Sequence, residues 1–182
     1  MRLNLAVVAA AISAGFAISA APVQAGGSIA VVGAVNSSTC VVDGAAAGQA
    51  VVLPSVGVSA LPNLADTAGD TPFSISMTDC AVDAGKTHLV HAFFEAGPRT
   101  NSEGRLTPDR DTGGADGVEI EVLNEDRTPV RLGWDDASQN SQKVVVNADG
   151  SIQMQYVARY YRSGELRPGE LDASVQYSIV YE

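Results

Sequence analysis

The residues from Gly169 to Glu182 alternate between apolar and polar side chains more regularly than any other part of the chain. The apolar positions are Ala173, Val175, Tyr177, Ile179 and Tyr181. A period of two residues is typical of a β-strand with one buried and one wetted face, so we predict one long strand here. No segment follows it that could pair with its outer edge, and an open apolar edge attracts another chain. We therefore expect a segment from elsewhere to cover this edge.

Short apolar segments separated by Gly, Pro, Asn and Asp fill the middle of the chain. The predicted strands are Thr39 to Val42, Ala50 to Leu53, Pro72 to Thr78, His88 to Phe94, Val118 to Leu123, Pro129 to Leu132, Lys143 to Val146 and Ser151 to Tyr161. A hairpin turn is predicted at Asn147 to Gly150, because Asp-Gly tolerates a positive φ. No segment has a helical period of useful length. The pattern predicts an all-β, antiparallel sandwich.

Residues 1–25 have the features of a secretory signal peptide: Arg2 near the start, an apolar run from Leu5 to Phe16, and small residues that end at Ala25. Cleavage is predicted after Ala25, and Ala20 offers an alternative site. A membrane-spanning helix is a second interpretation, but small and hydroxyl side chains dilute the apolar run that such a helix needs. The sequence therefore predicts export, with no direct membrane insertion after signal cleavage.

The segment from Gly26 to Cys40 is predicted to form a further strand, which would open the mature protein. Ile29, Val31, Gly33 and Val35 share one of its faces. Periodicity alone leaves open an ordinary first strand that pairs within its own domain.

The chain left after export suits a single domain with its own core. The full chain is acidic, with 11 Lys and Arg against 21 Asp and Glu and a net charge of −10. This balance disfavours nucleic acids and anionic membrane surfaces as partners. Cys40 and Cys80 are its 2 cysteines, and in an exported chain such a pair is most simply a disulfide. Two free thiols are the alternative.

Several weak motifs occur together in one order. A short N-terminal strand with a central Gly33 is followed by Thr39-Cys40, by a second cysteine at the end of Phe73 to Cys80, by Gly169, and by a penultimate Tyr181. Over residues 26 to 182 this arrangement resembles the pilin subunits of chaperone-usher pili, the type 1 and P pilus family. The resemblance implies an incomplete immunoglobulin-like sandwich that lacks its last strand and is completed in trans by a donor strand.

The resemblance also implies a domain division and a set of site residues. Residues 1–25 would be the signal peptide, 26–36 the donor-strand extension and 37–182 the pilin domain. The donor face would be Ile29, Val31, Gly33 and Val35. The edge of the acceptor groove, which a periplasmic chaperone contacts first, would include Gly169, Val175, Tyr177, Ile179 and Tyr181. Glu182 departs from the family pattern by placing a charge after the penultimate Tyr.

The implied function is a structural subunit of an adhesive surface pilus, or fimbria. Such a subunit passes through the periplasm, folds with a chaperone, reaches an outer-membrane usher and polymerises with identical or related pilins by donor-strand exchange. The many Ala, Gly and other small side chains favour the major rod subunit over a minor adaptor pilin. A secreted carbohydrate-binding β-sandwich that uses Trp134 is the alternative from another class.

No catalytic motif or cofactor signature is found in the sequence, so we expect neither an enzyme nor a cofactor. His88 and His91 lie three apart and point to opposite faces of a strand, which argues against a shared metal ion. The calcium-loop pattern at Asp109 to Asp116 fails because Ile120 stands where the bidentate Glu belongs. Glu119 and Glu121 are interpreted as a solvated strand face.

Overall fold

The computed structural model describes residues 40–43, 49–82, 88–109 and 114–182. Its strands are β1 (Val41–Val42), β2 (Thr67–Thr78), β3 (Leu89–Phe94), β4 (Asp116–Asn124), β5 (Pro129–Val130), β6 (Val144–Val145), β7 (Ile152–Arg167) and β8 (Tyr177–Tyr181). A 3₁₀ turn at Val58–Ala60 and the short helix α1 at Asp136–Gln139 are the helical elements of this part of the chain. The described chain is therefore all-β, as the sequence predicts.

The strands form two antiparallel sheets. One sheet has 5 strands in the order β1-β2-β7-β4-β5, and the other has 3 strands in the order β6-β3-β8. The ladders that unite the larger sheet run from Thr67 to Met77 of β2 against β7, and from Asp116 to Asn124 of β4 against β7. Two sheets that face each other across alternating side chains make a sandwich.

The core lies between the sheets and contains side chains from both. Met77, Met154 and Tyr156 come from the larger sheet, and Val90 and Phe94 come from the smaller one. The Tyr156 ring lies 5.5 Å from the Phe94 ring in an edge-to-face arrangement. Of these side chains, Met77 lies on the face of its strand that sequence alternation predicts to be buried.

Strand lengths differ from the prediction where long-range pairing decides them. β2 begins earlier than predicted because Thr67 and Ala68 also pair with β7, across a register shift between Ala68 and Thr71. β7 continues past its predicted end because Arg162 and Arg167 pair with β4. Ala50 to Leu53, in contrast, joins no ladder. The predicted C-terminal strand from Gly169 is also too long, because only Tyr177–Tyr181 pairs with β3.

The predicted turn at Asn147 to Gly150 is present, with φ of 77° at Gly150. The N–H of Asn147 donates to the carbonyl of Ser151 at 3.0 Å, and the Ser151 hydroxyl donates to Asp149 at 2.7 Å. The two strands that this turn joins, β6 and β7, nevertheless lie in different sheets. The turn is therefore a corner of the sandwich, and the prediction that it closes a hairpin is wrong.

Cys40 and Cys80 form the predicted disulfide, across 40 positions of sequence. Cys40 directly precedes β1, which pairs with the end of β2 through Val41 and Thr78. The bond thus holds the short strand β1 at the edge of the larger sheet. Cys80 is buried against the core.

Candidate functional site

The outer edge of β8 is the first rim of the candidate site. Within the described ranges β8 forms one ladder, with β3, in which Ala92 pairs with Ile179 and Phe94 with Tyr177. Tyr177, Ile179 and Tyr181 are half-buried and pack against the core. An edge strand whose inward side chains are still partly exposed can accept a further strand.

The chain before β8 continues the same rim without a ladder. Leu171, Ala173 and Val175 are half-buried against the core, while the residues between them are exposed. The carbonyl of Asp172 accepts a 2.8 Å hydrogen bond from the N–H of Asp109. The alternation predicted from the sequence is thus confirmed in burial over this segment, although the segment is extended rather than paired.

Gly169 lies where this segment approaches the start of β4. A Cβ added to Gly169 would meet the backbone nitrogen of Ala115 and the carbonyl carbon of Gly114, both at 2.6 Å. The N–H of Ala115 donates to the carbonyl of Glu170 at 2.7 Å. The absence of a side chain at Gly169 therefore lets the rim segment pack directly on another backbone.

A second unpaired segment packs against the same core. Val51 and Leu53 are half-buried there, while Val52 between them is 83% exposed. Residues 49–56 make no backbone hydrogen bond to another described segment. We call residues 49–56 and 171–181 the two rims, because both place alternate apolar side chains on the core and, within the described residues, neither is paired with a strand on both sides.

Burial raises the pKa of two tyrosine hydroxyls, one at the edge of the core and one inside it. Burial raises the pKa of the Tyr177 hydroxyl above its ordinary value of 10.0. Burial also raises the pKa of Tyr156, although a hydrogen bond with the Ser141 hydroxyl opposes the shift. Both side chains stay neutral at physiological pH, which suits apolar contacts.

Polar side chains fix the far end of β8. The carboxylate of Glu182 accepts hydrogen bonds from Nζ of Lys143 at 2.6 and 2.7 Å. The buried imidazole of His91 lies beside it, with Nε2 2.7 Å from Oδ1 of Asp136 and Nδ1 3.7 Å from Oε1 of Glu182. Glu182 thus ties β8 to the strand region around β6, a role that its sequence position did not suggest.

The interpretation of Glu119 and Glu121 as a solvated face is wrong. Glu121 is only 5% exposed, and its carboxylate accepts hydrogen bonds from Arg159 at 2.7 Å and from Arg105 at 3.3 Å. The Arg105 guanidinium also lies 3.6 Å from the centre of the Tyr161 ring. Arginines from separate segments cover these carboxylates, which strand periodicity cannot reveal. This set of groups is a structural ion network rather than a catalytic pair.

Trp134 lies in the turn before α1 and is partly exposed. Its indole N–H donates to the carbonyl of Ser102 at 3.0 Å, and the Arg131 guanidinium lies 5.0 Å from the ring centre. The ring is therefore held from two sides by neighbouring residues.

In the described ranges, no group of three or more potential ligands could hold a metal ion. The same ranges contain no helix with the length and hydrophobicity that a membrane crossing needs. The predicted signal peptide, the Ala20 and Ala25 cleavage sites, and the predicted donor residues Ile29, Val31, Gly33 and Val35 lie outside the described residues.

Comparison with known proteins identifies the family of this all-β chain. The family model described as "FimA: Type-1 fimbrial protein, A" matches residues 53–182. The chain belongs to this type-1 fimbrial protein family. Among its relatives are the major fimbrial subunit SMF-1 of Stenotrophomonas maltophilia, 34% identical over 90% of this chain and 99% of the relative, and the F17 fimbrial protein of Escherichia coli, 32% identical over 91% and 93%.

The names of the fimbrial relatives include both major and minor subunits. One is called a minor fimbrial subunit, HifD of Haemophilus influenzae, at 29% identity over 81% of this chain and 69% of its own length. The crystal structure of the P pilus rod subunit PapA matches with a TM-score of 0.61 and 19% identity, over 79% of this chain and 99% of that one. This fimbrial chain therefore has the all-β, two-sheet fold of pilin subunit structures, and the relatives named here are fimbrial subunits rather than enzymes.

Proposed function

We propose that this chain polymerises by donor-strand exchange. Residues 26–36 would insert between the two rims of a neighbouring copy, with Ile29, Val31, Gly33 and Val35 facing the core of that copy. The observation that carries this proposal is the pair of rims, which both rest on one core and which, among the residues that the structure describes, both lack a paired strand along at least one side. A donated strand would complete the sheet and bury the exposed parts of Val51, Leu53, Tyr177 and Ile179.

The side chains of the proposed donor strand fit this task. Each of Ile29, Val31 and Val35 would contribute roughly 1.5 to 3 kcal/mol if fully buried, before the cost of ordering the strand. Gly33 has no side chain and suits a position where backbones approach closely.

Before polymerisation the same edge needs temporary cover. We infer that a periplasmic chaperone pairs with β8 first, at Val175, Tyr177, Ile179 and Tyr181, and that an outer-membrane usher receives the complex. Export would rest on the signal peptide at residues 1–25. Unpaired backbone beside exposed apolar side chains is prone to aggregate, which is the physical reason for such a partner.

Within the fimbria, the major rod subunit is the role that we propose, with a minor adaptor pilin as the alternative. The small side chains that favour close and repeated packing support the rod, as does the match to a rod subunit structure.

The donor-strand proposal is tested by adding a synthetic peptide of residues 26–36 to the purified mature chain. We expect a 1:1 complex whose melting temperature is higher by about 10 °C or more, since several kcal/mol of binding shift a chain of this size by that amount. Differential scanning calorimetry measures the shift.

The matched control is the same peptide with Val31→Asp, which would place a charge against the core and should raise the melting temperature far less. Equal shifts with both peptides, or no shift with either, would contradict strand insertion at the rims.

A further inference from the structure

The smaller sheet has a second edge that β6 covers only in part. β6 pairs with Leu89 and Val90 of β3, whereas β8 pairs with β3 from Val90 to Phe94. Within the described residues, no strand pairs with β3 beyond Val90 on the side of β6. Unpaired backbone groups at the edge of a sheet attract another chain. This part of β3 therefore needs a cover other than a strand.

The backbone groups of Phe94 point to this second edge, away from β8. In the ladder with β8, Leu89 exchanges two hydrogen bonds with Glu182, at 2.9 and 3.3 Å, and the N–H of Glu95 donates to the carbonyl of Gln176 at 2.8 Å. Residue pairs in an antiparallel ladder alternate between hydrogen-bonded and non-hydrogen-bonded. The odd-numbered residues of β3 therefore bond to β8, and the N–H and C=O of Phe94 are directed to the opposite side.

A buried side-chain amide takes the place of the missing strand. Gln139, the last residue of α1, is 0% exposed. Its Oε1 accepts a 2.7 Å hydrogen bond from the N–H of Phe94, and its Nε2 donates to the carbonyl of Phe94 at 2.9 Å. In an antiparallel sheet one residue of a neighbouring strand would make the same pair of bonds. The Gln139 amide thus reproduces the hydrogen bonds of one rung of a ladder.

Hydrogen bonds to the larger sheet hold this amide in position. The N–H of Arg131, directly after β5, donates to the backbone carbonyl of Gln139 at 2.8 Å. Asn124, the buried last residue of β4, donates from Nδ2 to the carbonyl of Asn140 at 2.7 Å and accepts at Oδ1 from the N–H of Gln142 at 2.9 Å. Residues 139–142 are therefore fixed to one sheet while the Gln139 side chain closes the edge of the other.

We propose that Gln139 determines where this chain accepts a strand, by closing the second edge of β3. An incoming strand would have to displace the buried amide and break both of its bonds to Phe94, which costs free energy. Each copy then accepts a strand at β8 alone, and the polymer grows without branches. This last consequence rests on the proposed donor-strand exchange, whereas the closed edge rests on the bonds of Gln139.

Counting bound peptides tests the closed edge. The probe is the synthetic peptide of residues 26–36, in excess over the purified mature chain, and native mass spectrometry counts the peptides on each chain. We expect one peptide on the parent and two on Gln139→Ala, which frees the N–H and C=O of Phe94 and removes the side chain that fills the edge. Gln153→Ala, at an exposed position of β7, is the matched control and should bind one peptide.

Hydrogen exchange on the parent chain keeps the test available if Gln139→Ala folds poorly. In the peptide-saturated parent, the amide of Phe94 should exchange as slowly as that of Phe93, whose N–H faces β8. Rapid exchange at Phe94 alone would overturn the proposal. Two peptides on the parent, or equal counts on the parent and a folded Gln139→Ala, would overturn it as well.

The same counts separate this proposal from donor-strand exchange. A parent chain that binds no peptide would contradict donor-strand exchange. The closed edge is judged instead by the difference between Gln139→Ala and the parent, so one additional peptide on the variant supports it even where the parent binds none.

Discussion

At the scale of single residues, Glu121 shows that residues distant in sequence can bury a side chain that local periodicity predicts to be exposed. Its position in an alternating strand predicts exposure, yet Arg159 and Arg105 cover it from β7 and from the loop before β4. A buried carboxylate between two guanidinium groups is stable only as long as all three charges are present.

Glu121→Gln should lower the free energy of unfolding by about 3 kcal/mol, because it leaves two partly buried arginines without their shared counter-charge. Urea denaturation of the peptide-bound chain measures the loss. Glu165→Gln, at an exposed position of β7, is the control and should change the stability by less than about 0.5 kcal/mol. Equal effects of the two substitutions would show that the network contributes nothing to stability.

At the scale of elements, the position of the segment before β8 depends on a backbone contact between Gly169 and residues 114–115. Gly169 permits that contact because an added Cβ would overlap Gly114 and Ala115. The rim from Leu171 to Val175 is positioned from this point onward, so its placement is set by a residue that carries no side chain.

Gly169→Ala should destabilise the chain by about 1 to 3 kcal/mol, since the segment must move away from Ala115. It should also weaken binding of the peptide of residues 26–36, which isothermal titration calorimetry measures. Gly97→Ala is the control, because a Cβ at Gly97 meets nothing within 4 Å. If both alanine variants bind the peptide and unfold alike, the close approach at Gly169 is not what positions the rim.

At the scale of the whole molecule, β8 differs from the other edge strands of the two sheets in its length. In the described ranges the edge strands β1, β5 and β6 have 2 residues each, whereas β8 has 5. Short edges resist the addition of another chain, and β5 also begins with a proline, which cannot donate to a ladder. The lengths of the edge strands therefore support the proposal that a donated strand adds at β8.

A mature chain without residues 26–36 should still accept a donor strand but should be unable to provide one. Mixed with the intact chain, it should act as a terminator and shorten the polymers in proportion to its share, as electron microscopy and size-exclusion chromatography would show. Its melting temperature with added peptide should equal that of the intact chain with peptide, which verifies that the rims are unharmed. Long polymers formed by the deleted chain alone would contradict the proposed exchange.

Much of the fold could be predicted from local sequence pattern. The alternation in β2, β4, β7 and β8 identifies the inward faces, because side-chain direction in a strand depends only on position along that strand. The cysteine pair at 40 and 80 was predictable because the chain has 2 cysteines and export signals. These features need no knowledge of which segments meet.

What only the tertiary structure decided are the relations between distant segments. Contacts between residues far apart in sequence set the lengths of β2 and β7 and place β6 and β7 in different sheets. Such contacts also bury Glu121 and His91, and they leave Ala50 to Leu53 without a ladder in the described part of the chain. Local periodicity carries no information about such contacts, because the same alternation fits a paired strand, a rim or a covered face. The sequence by itself therefore determined the faces of the strands and the disulfide, whereas long-range packing decided which segments pair and in which sheet they lie.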